Sequence, residues 1–266
     1  MQSIRPAAVA GMFYPGNPVT LAHDIDAMLV EAEARAPRLA PKVLIAPHAG
    51  YIYSGPVAAS AYALLKPVAE RIRRVVLLGP THRVAVHGLA LPGAEAFATP
   101  LGTVEIDLEA ASLIAALPQV VTSPQAHAQE HSLEVHLPFL QSLLPDFKLL
   151  PLAVGMASAE EVAEVLEILW GGDETLIVIS SDLSHHLPYA TAKRVDGATA
   201  QAIMQNQPVS HEQACGGTPV NGLLLAARHH HLTPYLLDLR NSGDTAGSKD
   251  RVVGYGAFAF AGEARQ

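Results

Sequence analysis

A single cysteine, Cys215, in a chain of 266 residues excludes an internal disulfide and a cysteine-based zinc site. It fits a reducing compartment, where thiols stay free. Charge is scarce as well: 16% of residues are charged, the formal net charge is −8, and no cluster of Lys or Arg occurs. Proteins that bind nucleic acid through phosphate contacts need such clusters, so that class of function is disfavoured. No apolar run approaches the ~18 residues of a membrane span. The opening Met1-Gln2-Ser3-Ile4-Arg5-Pro6 lacks the apolar core of a secretion signal. These absences predict a cytoplasmic protein with neither nucleic acid nor membrane as partner.

Apolar residues are abundant at 50% of the chain, enough for a sizeable core. Strand-like runs occupy residues 43–47, 74–80, 86–91, 102–106, 148–154, 175–181, 234–239 and 252–260. Helical spacing marks residues 21–34, 55–68, 108–117, 133–144, 159–170 and 217–229. Near-continuous apolar strands joined by helices predict an α/β fold. Its central sheet is expected to be mostly parallel or mixed, with helices on both faces. Proline and glycine are scattered, and neither a low-complexity tract nor a fixed-period repeat is visible, so one domain over residues 1–266 is expected.

Four histidines follow the ends of strand-like runs: His48, His82, and the pair His185 and His186. In an open α/β sheet, ligands bind in the crevice outside the carboxyl ends of the strands. Imidazole is the commonest protein metal ligand and the commonest general base near neutral pH. Histidines delivered there by separate strands therefore predict a metal site. Around His48, Pro47 fixes the strand exit, and Tyr51 and Tyr53 offer hydroxyls and aromatic walls to a substrate.

Other segments add candidates. His131 and His136 lie five residues apart, off the shared helical face that an inverted metalloprotease motif requires. His131 or Glu134 is instead a candidate to reach the crevice from a helix start. Asp182 precedes His185 by three residues, a spacing that permits a carboxylate–imidazole pair. Asp244, in a turn after a late strand, could add a carboxylate, and two histidines plus a carboxylate is the ligand set of non-heme Fe(II) oxygenases. His229-His230-His231 follows a helical run and reads as an exposed helix end. Cys215 has no base nearby in sequence and reads as structural.

Several motifs then occur together in order: Ala10-Gly11-Met12-Phe13-Tyr14-Pro15, Ala46-Pro47-His48-Ala49-Gly50-Tyr51, Leu78-Gly79-Pro80-Thr81-His82, Glu130-His131-Ser132-Leu133-Glu134-Val135-His136-Leu137-Pro138 and Ser180-Ser181-Asp182. With Cys215-Gly216, Pro219 and Val253-Gly254-Tyr255, they resemble the Memo family, whose bacterial members are also called AmmeMemoRadiSam system protein B. That family is similar in fold to class III extradiol dioxygenases, whose iron is held by two histidines and a carboxylate. The resemblance implies His48 and His82 as metal ligands, and His131 and His185 as histidines that handle protons beside the substrate. Animal members use a cysteine as third ligand. Here Asp244 or Thr245 stands at about that place near the last strand, which implies a divalent metal with oxygen ligation: Fe(II) first, copper or zinc as alternatives.

Two functions are expected from this resemblance. One is a non-heme metal oxidoreductase, dioxygenase-like, acting on a small-molecule substrate. The other is a non-catalytic module that binds a peptide or partner in the same crevice. The aromatic residues Phe13, Tyr51 and Tyr53 would line either.

Overall fold

The computed structural model describes residues 1–263. Among these residues the strands, in chain order, are β1 (Ile4–Arg5), β2 (Val43–Ala46), β3 (Arg74–Pro80), β4 (Leu89–Leu91), β5 (Ala96–Thr99), β6 (Gly102–Glu105), β7 (Val120–Thr122), β8 (Lys148–Val154), β9 (Thr175–Ser180), β10 (His185–Leu187), β11 (Thr233–Asn241) and β12 (Val252–Ala261). The helices are α1 (Pro18–Glu33), α2 (Tyr51–Tyr62), α3 (Leu108–Ile114), α4 (Pro124–Ala128), α5 (His131–Glu134), α6 (Leu137–Leu143), α7 (Ala159–Leu169), α8 (Tyr189–Met204) and α9 (Gly217–His229).

The centre of the main sheet is the parallel set β2-β9-β3-β8. Antiparallel β12 extends it beyond β2 and carries β10 and β11; β4 and β7 extend it beyond β8. A separate three-stranded sheet runs β1-β5-β6. The mixed, largely parallel α/β architecture expected from the strand runs is thus the one observed.

Side chains alternate across the strands, and both faces are covered. Leu44, Ala46, Val75, Leu77 and Val178 join the core under α1, α2 and α6. Val43, Ile45, Val76, Leu78, Ile177 and Ile179 join the core under α3, α7, α8 and α9. Burial on both faces is why these strands read as continuous apolar runs instead of alternating ones.

Helix ends follow local chemistry. The Asn17 side chain accepts the amides of Val19 and Thr20 to start α1, with Pro18 in its first turn. Ser158 and Glu161 form a reciprocal capping box on α7. The pattern over residues 133–144 is two helices, not one, because Pro138 opens α6 after α5 has closed. Helix α2 starts at Tyr51, four residues before the sequence pattern suggests, and α8 was not anticipated from its small and polar residues.

Of the two candidates at this helix start, His131 joins the crevice and Glu134 turns to the N-terminal segment. Its buried carboxylate meets Arg5 Nη1 at 2.8 Å, the Tyr14 hydroxyl at 2.7 Å, and the amides of Ala8 and Val9 at 2.8 and 3.0 Å. It ties the N-terminal segment to the core below α5. Glu134→Ala strands a buried guanidinium and two amides, and breaking a buried pair from one side costs about 3–5 kcal/mol. Urea denaturation should show a loss of that size; a change under 1 kcal/mol would mean that the anchor is replaced by solvent.

Candidate metal centre

Strands β2, β9 and β3 lie side by side and parallel, so their carboxyl ends open onto one place. His48 follows β2, Asp182 follows β9 and His82 follows β3. His131, the first residue of α5, enters from above. One ligand atom from each of His48, His82 and His131 lies within 4.8 Å of the others. The His82 and His131 rings stack at 4.6 Å, and His48 meets both edge-on at 5.2 and 5.5 Å.

Hydrogen bonds fix which nitrogen of His48 is free. Ser180 Oγ lies 2.7 Å from the Ser132 carbonyl, which can only accept, so the single hydroxyl proton goes there. Ser180 Oγ is also 2.7 Å from His48 Nδ1 and 2.7 Å from His136 Nε2, so both rings must donate to it. The Tyr62 hydroxyl then donates to His136 Nδ1 at 2.7 Å. This closed chain leaves Nε2 of His48 unprotonated and directed at the centre. Burial first, then the imidazoles of His82 and His131, holds the His48 pKa well below its ordinary value, so the ring is neutral.

Glu130 does the same for His82. Its carboxylate takes His82 Nδ1 at 2.7 Å together with the amides of His82 and Ser132. Burial works against its charge, yet those hydrogen bonds bring its carboxyl down to about 2. An ionised acceptor makes Nδ1 the donor, leaving Nε2 of His82 as the candidate ligand atom. Carboxylate–histidine pairs of this kind orient metal ligands. His131 lies 3.6 Å from the same carboxylate and packs on Phe13 with ring centroids 4.5 Å apart. Burial first, and then His82, lowers its pKa.

A sulfur lies beside His48, where the sequence reading had placed none. Cys215 Sγ lies 3.4 Å from His48 Nε2 and accepts the Asp182 amide at 3.4 Å. An ion bound tetrahedrally by imidazole at ~2.0 Å and thiolate at ~2.3 Å holds those atoms about 3.5 Å apart. Burial, then the Asp182 carboxylate, pushes the free thiol up to about 12. Asp244 is placed elsewhere: its carboxylate accepts the Tyr189 hydroxyl and the Asn241 amide in an exposed turn. It caps that turn and is not brought to the histidines. Neither is Thr245, whose hydroxyl donates to the Tyr53 carbonyl. Asn241 and Asp244 satisfy each other's neighbouring amides, a local demand that a turn sequence does not separate from ligation.

Asp182 is at the centre but not in the expected pair. Its Oδ1 accepts the His48 amide at 2.8 Å, and Oδ2 lies 3.8 Å from His48 Nε2. Burial pushes its carboxyl up. Among the described residues it makes no hydrogen bond to His185, which is exposed on β10 beside His186. Tyr51 is buried, and its hydroxyl donates to the Val135 carbonyl at 2.5 Å, so that hydroxyl is engaged within the protein. Tyr53 is 37% exposed in a groove with Met12, Phe13 and Ile52. The sequence reading missed Glu130, His136, Ser180 and the proximity of Cys215; Glu130 beside His131 was the one local signal available.

The arrangement defines an α/β protein in which two parallel-strand ends and a helix start bring together three imidazoles that could hold a metal ion. A family model described as Memo-like protein matches residues 5–259. The chain belongs to the Memo family. It is 36% identical to a MEMO1 family protein of Archaeoglobus fulgidus over 97% of this chain and 99% of that protein. MEMO1 family proteins of Aquifex aeolicus and Sulfolobus acidocaldarius are 36% and 33% identical, each over 97% of this chain and 99% of theirs. Among solved structures, an uncharacterized Escherichia coli K12 protein, JW3007, aligns with a TM-score of 0.48 at 16% identity, over 80% of this chain and 98% of that one. Among the described residues no helix is long and apolar enough to cross a membrane.

Proposed function

We propose that this Memo-family chain is a metal-dependent oxidoreductase of a small organic substrate. The observation that supports it most is the pair of fixed tautomers, which turns Nε2 of His48 and of His82 toward the centre, with the Cys215 sulfur 3.4 Å from that of His48. His48, His82 and Cys215 are the proposed ligands. Sulfur in place of the expected carboxylate oxygen moves the preference from Fe(II) toward copper, with iron and zinc next. When bound, the ion supplies redox capacity and Lewis acidity.

The surrounding residues have separate tasks. His131, neutral and within reach of the same point, accepts a proton from the substrate and returns it. Asp182 holds the His48 backbone in place, and His185 is exposed on β10. A cavity of about 760 Å³ reaches Cys215 between Thr81, His87, Met156, His211 and Thr218, a size suited to a small molecule. A second reading, a docking site for a peptide, draws on the exposed apolar side chains of Met12 and Ile52 beside Phe13.

The test begins with tag-free protein reconstituted with copper, iron or zinc, its metal counted by mass spectrometry. An oxygen electrode then follows consumption with a panel of phenols and thiols. His131→Gln should keep metal affinity within about tenfold, the lower end of outer-partner effects, and lose turnover. Metal loss as large as in His82→Ala would make His131 a ligand. Wild-type protein that takes up no metal would sink the reading.

A further inference from the structure

A second group of metal-type side chains stands at the opposite end of the sheet. Glu167 near the end of α7 faces His229, the last residue of α9, and His230, which follows it. His229 Nδ1 lies 2.9 Å from Glu167 Oε1, and His230 Nε2 lies 2.7 Å from Oε2. One ligand atom from each lies within 4.8 Å of the others. The neighbourhood is the entry to the central strands: Lys42 and Trp170 to Thr175 precede β2 and β9. The strand-end histidines His48 and His82 lie past the other ends of the sheet.

Histidines at a helix end ordinarily serve the last carbonyls of that helix. Here both rings turn sideways onto the two oxygens of one carboxylate on a neighbouring helix. The supports are rigid. Trp170 stacks on His230 at 3.8 Å with planes 5° apart, which fixes that ring. Helices α7 and α9 approach so closely that a Cβ on Gly222 would sit 2.3 Å from Val162 Cγ1, so their spacing is set by glycine. Side-chain exposures of 72% for His229, 29% for His230 and 33% for Glu167 leave room for water to complete a coordination shell.

We infer that Glu167, His229 and His230 form a second divalent-metal site, of zinc or copper type, that staples α7 to α9. Two imidazoles and a carboxylate are a ligand set for such ions. An ion ~2.0–2.2 Å from each donor needs the nitrogens and oxygens about 3.3 Å apart. The exposed His229 and half-buried Glu167 side chains reach that by small rotations, while His230 stays stacked. Each imidazole then carries its proton on the outward nitrogen. Nearby Lys42 leaves the carboxylate free: its ammonium is held by the carbonyls of Trp170, Gly172 and Thr175.

Zinc chloride is the probe, on tag-free full-length protein followed by calorimetry. His229→Ala combined with His230→Ala should remove one equivalent of bound zinc, or weaken that class of site at least tenfold, with an unchanged circular dichroism spectrum. Zinc should raise the melting temperature of the wild type by about 5 °C at a hundredfold excess over its dissociation constant, with a smaller rise in the double variant. Diffraction at the zinc edge from wild-type crystals should place an anomalous peak between the three side chains. The same zinc stoichiometry and affinity in the double variant, or no peak at Glu167, overturns the inference. Because the count is a difference between two proteins that share the strand-end histidines, failure there does not mimic failure here.

Discussion

His82→Ala should lower metal affinity by more than the roughly 10–100-fold that loss of an outer hydrogen-bond partner costs. Its Nε2 is one of the two nitrogens that hydrogen bonding turns toward the centre. The side chain is 31% exposed, so the fold should survive with a loss on the order of 1 kcal/mol, the worth of its bond to Glu130. His48→Ala should strip the metal equally but destabilise more, because His48 is 1% exposed and its removal leaves Ser180 short of a partner. Ser180→Ala should cost less affinity than either, about 10–100-fold, because nothing then holds His48 in its Nδ1–H form. Cys215→Ser should weaken binding and Asp244→Ala should not. Mass spectrometry of reconstituted proteins, with chemical denaturation alongside, decides the series. The full wild-type number of metal equivalents in both His48→Ala and His82→Ala would remove the centre from consideration.

Much of this architecture was legible because the strands are buried on both faces. Runs such as Val43-Leu44-Ile45-Ala46 and Leu176-Ile177-Val178-Ile179 permit few other uses, and the histidines that follow them must emerge at the sheet edge. What sequence could not rank was the third group at the centre. Cys215 is 167 residues from His48 and arrives on the loop before α9, so no local spacing announces it. Asp244 looked better because it follows a strand in a Ser-Gly-Asp turn, yet capping the turn consumes that carboxylate. The Ser180–His136–Tyr62 chain was hidden for a related reason: each member reads as core or helix start until the sheet brings β9 under α5. Polar groups that serve one another inside the protein leave no pattern along the chain.

Lowering the pH from 8 to 5 should cost the metal-free protein on the order of 4 kcal/mol of stability before the ordinary carboxylates titrate. Burial holds His136 down to about 3, with His48 adding in the same direction. Burial likewise outweighs the hydrogen bond to the Ala90 carbonyl and holds His127 down to about 4. The unfolded chain binds protons at these rings with a pKa near 6.5, while the native protein refuses them. Stability therefore falls as pH drops below 6.5 and stops falling only near the folded values. At pH 5 each ring contributes about 2 kcal/mol by that linkage. His48, also lowered by burial, adds to the loss. Asp182 and Asp196 act oppositely: burial raises both, so the native state takes up protons there first and recovers part of the loss. Glu130, brought down to about 2, matters only below its unfolded value near 4.5, outside this window. Urea unfolding at pH 8, 6.5 and 5 measures the slope, which should approach two protons taken up on unfolding near pH 5. Replacing His127 with Gln, which can still donate to Ala90, should remove about one of them. A flat profile down to pH 5 would mean that these rings are not buried in neutral form, and the fixed tautomer of His48 would fall with them.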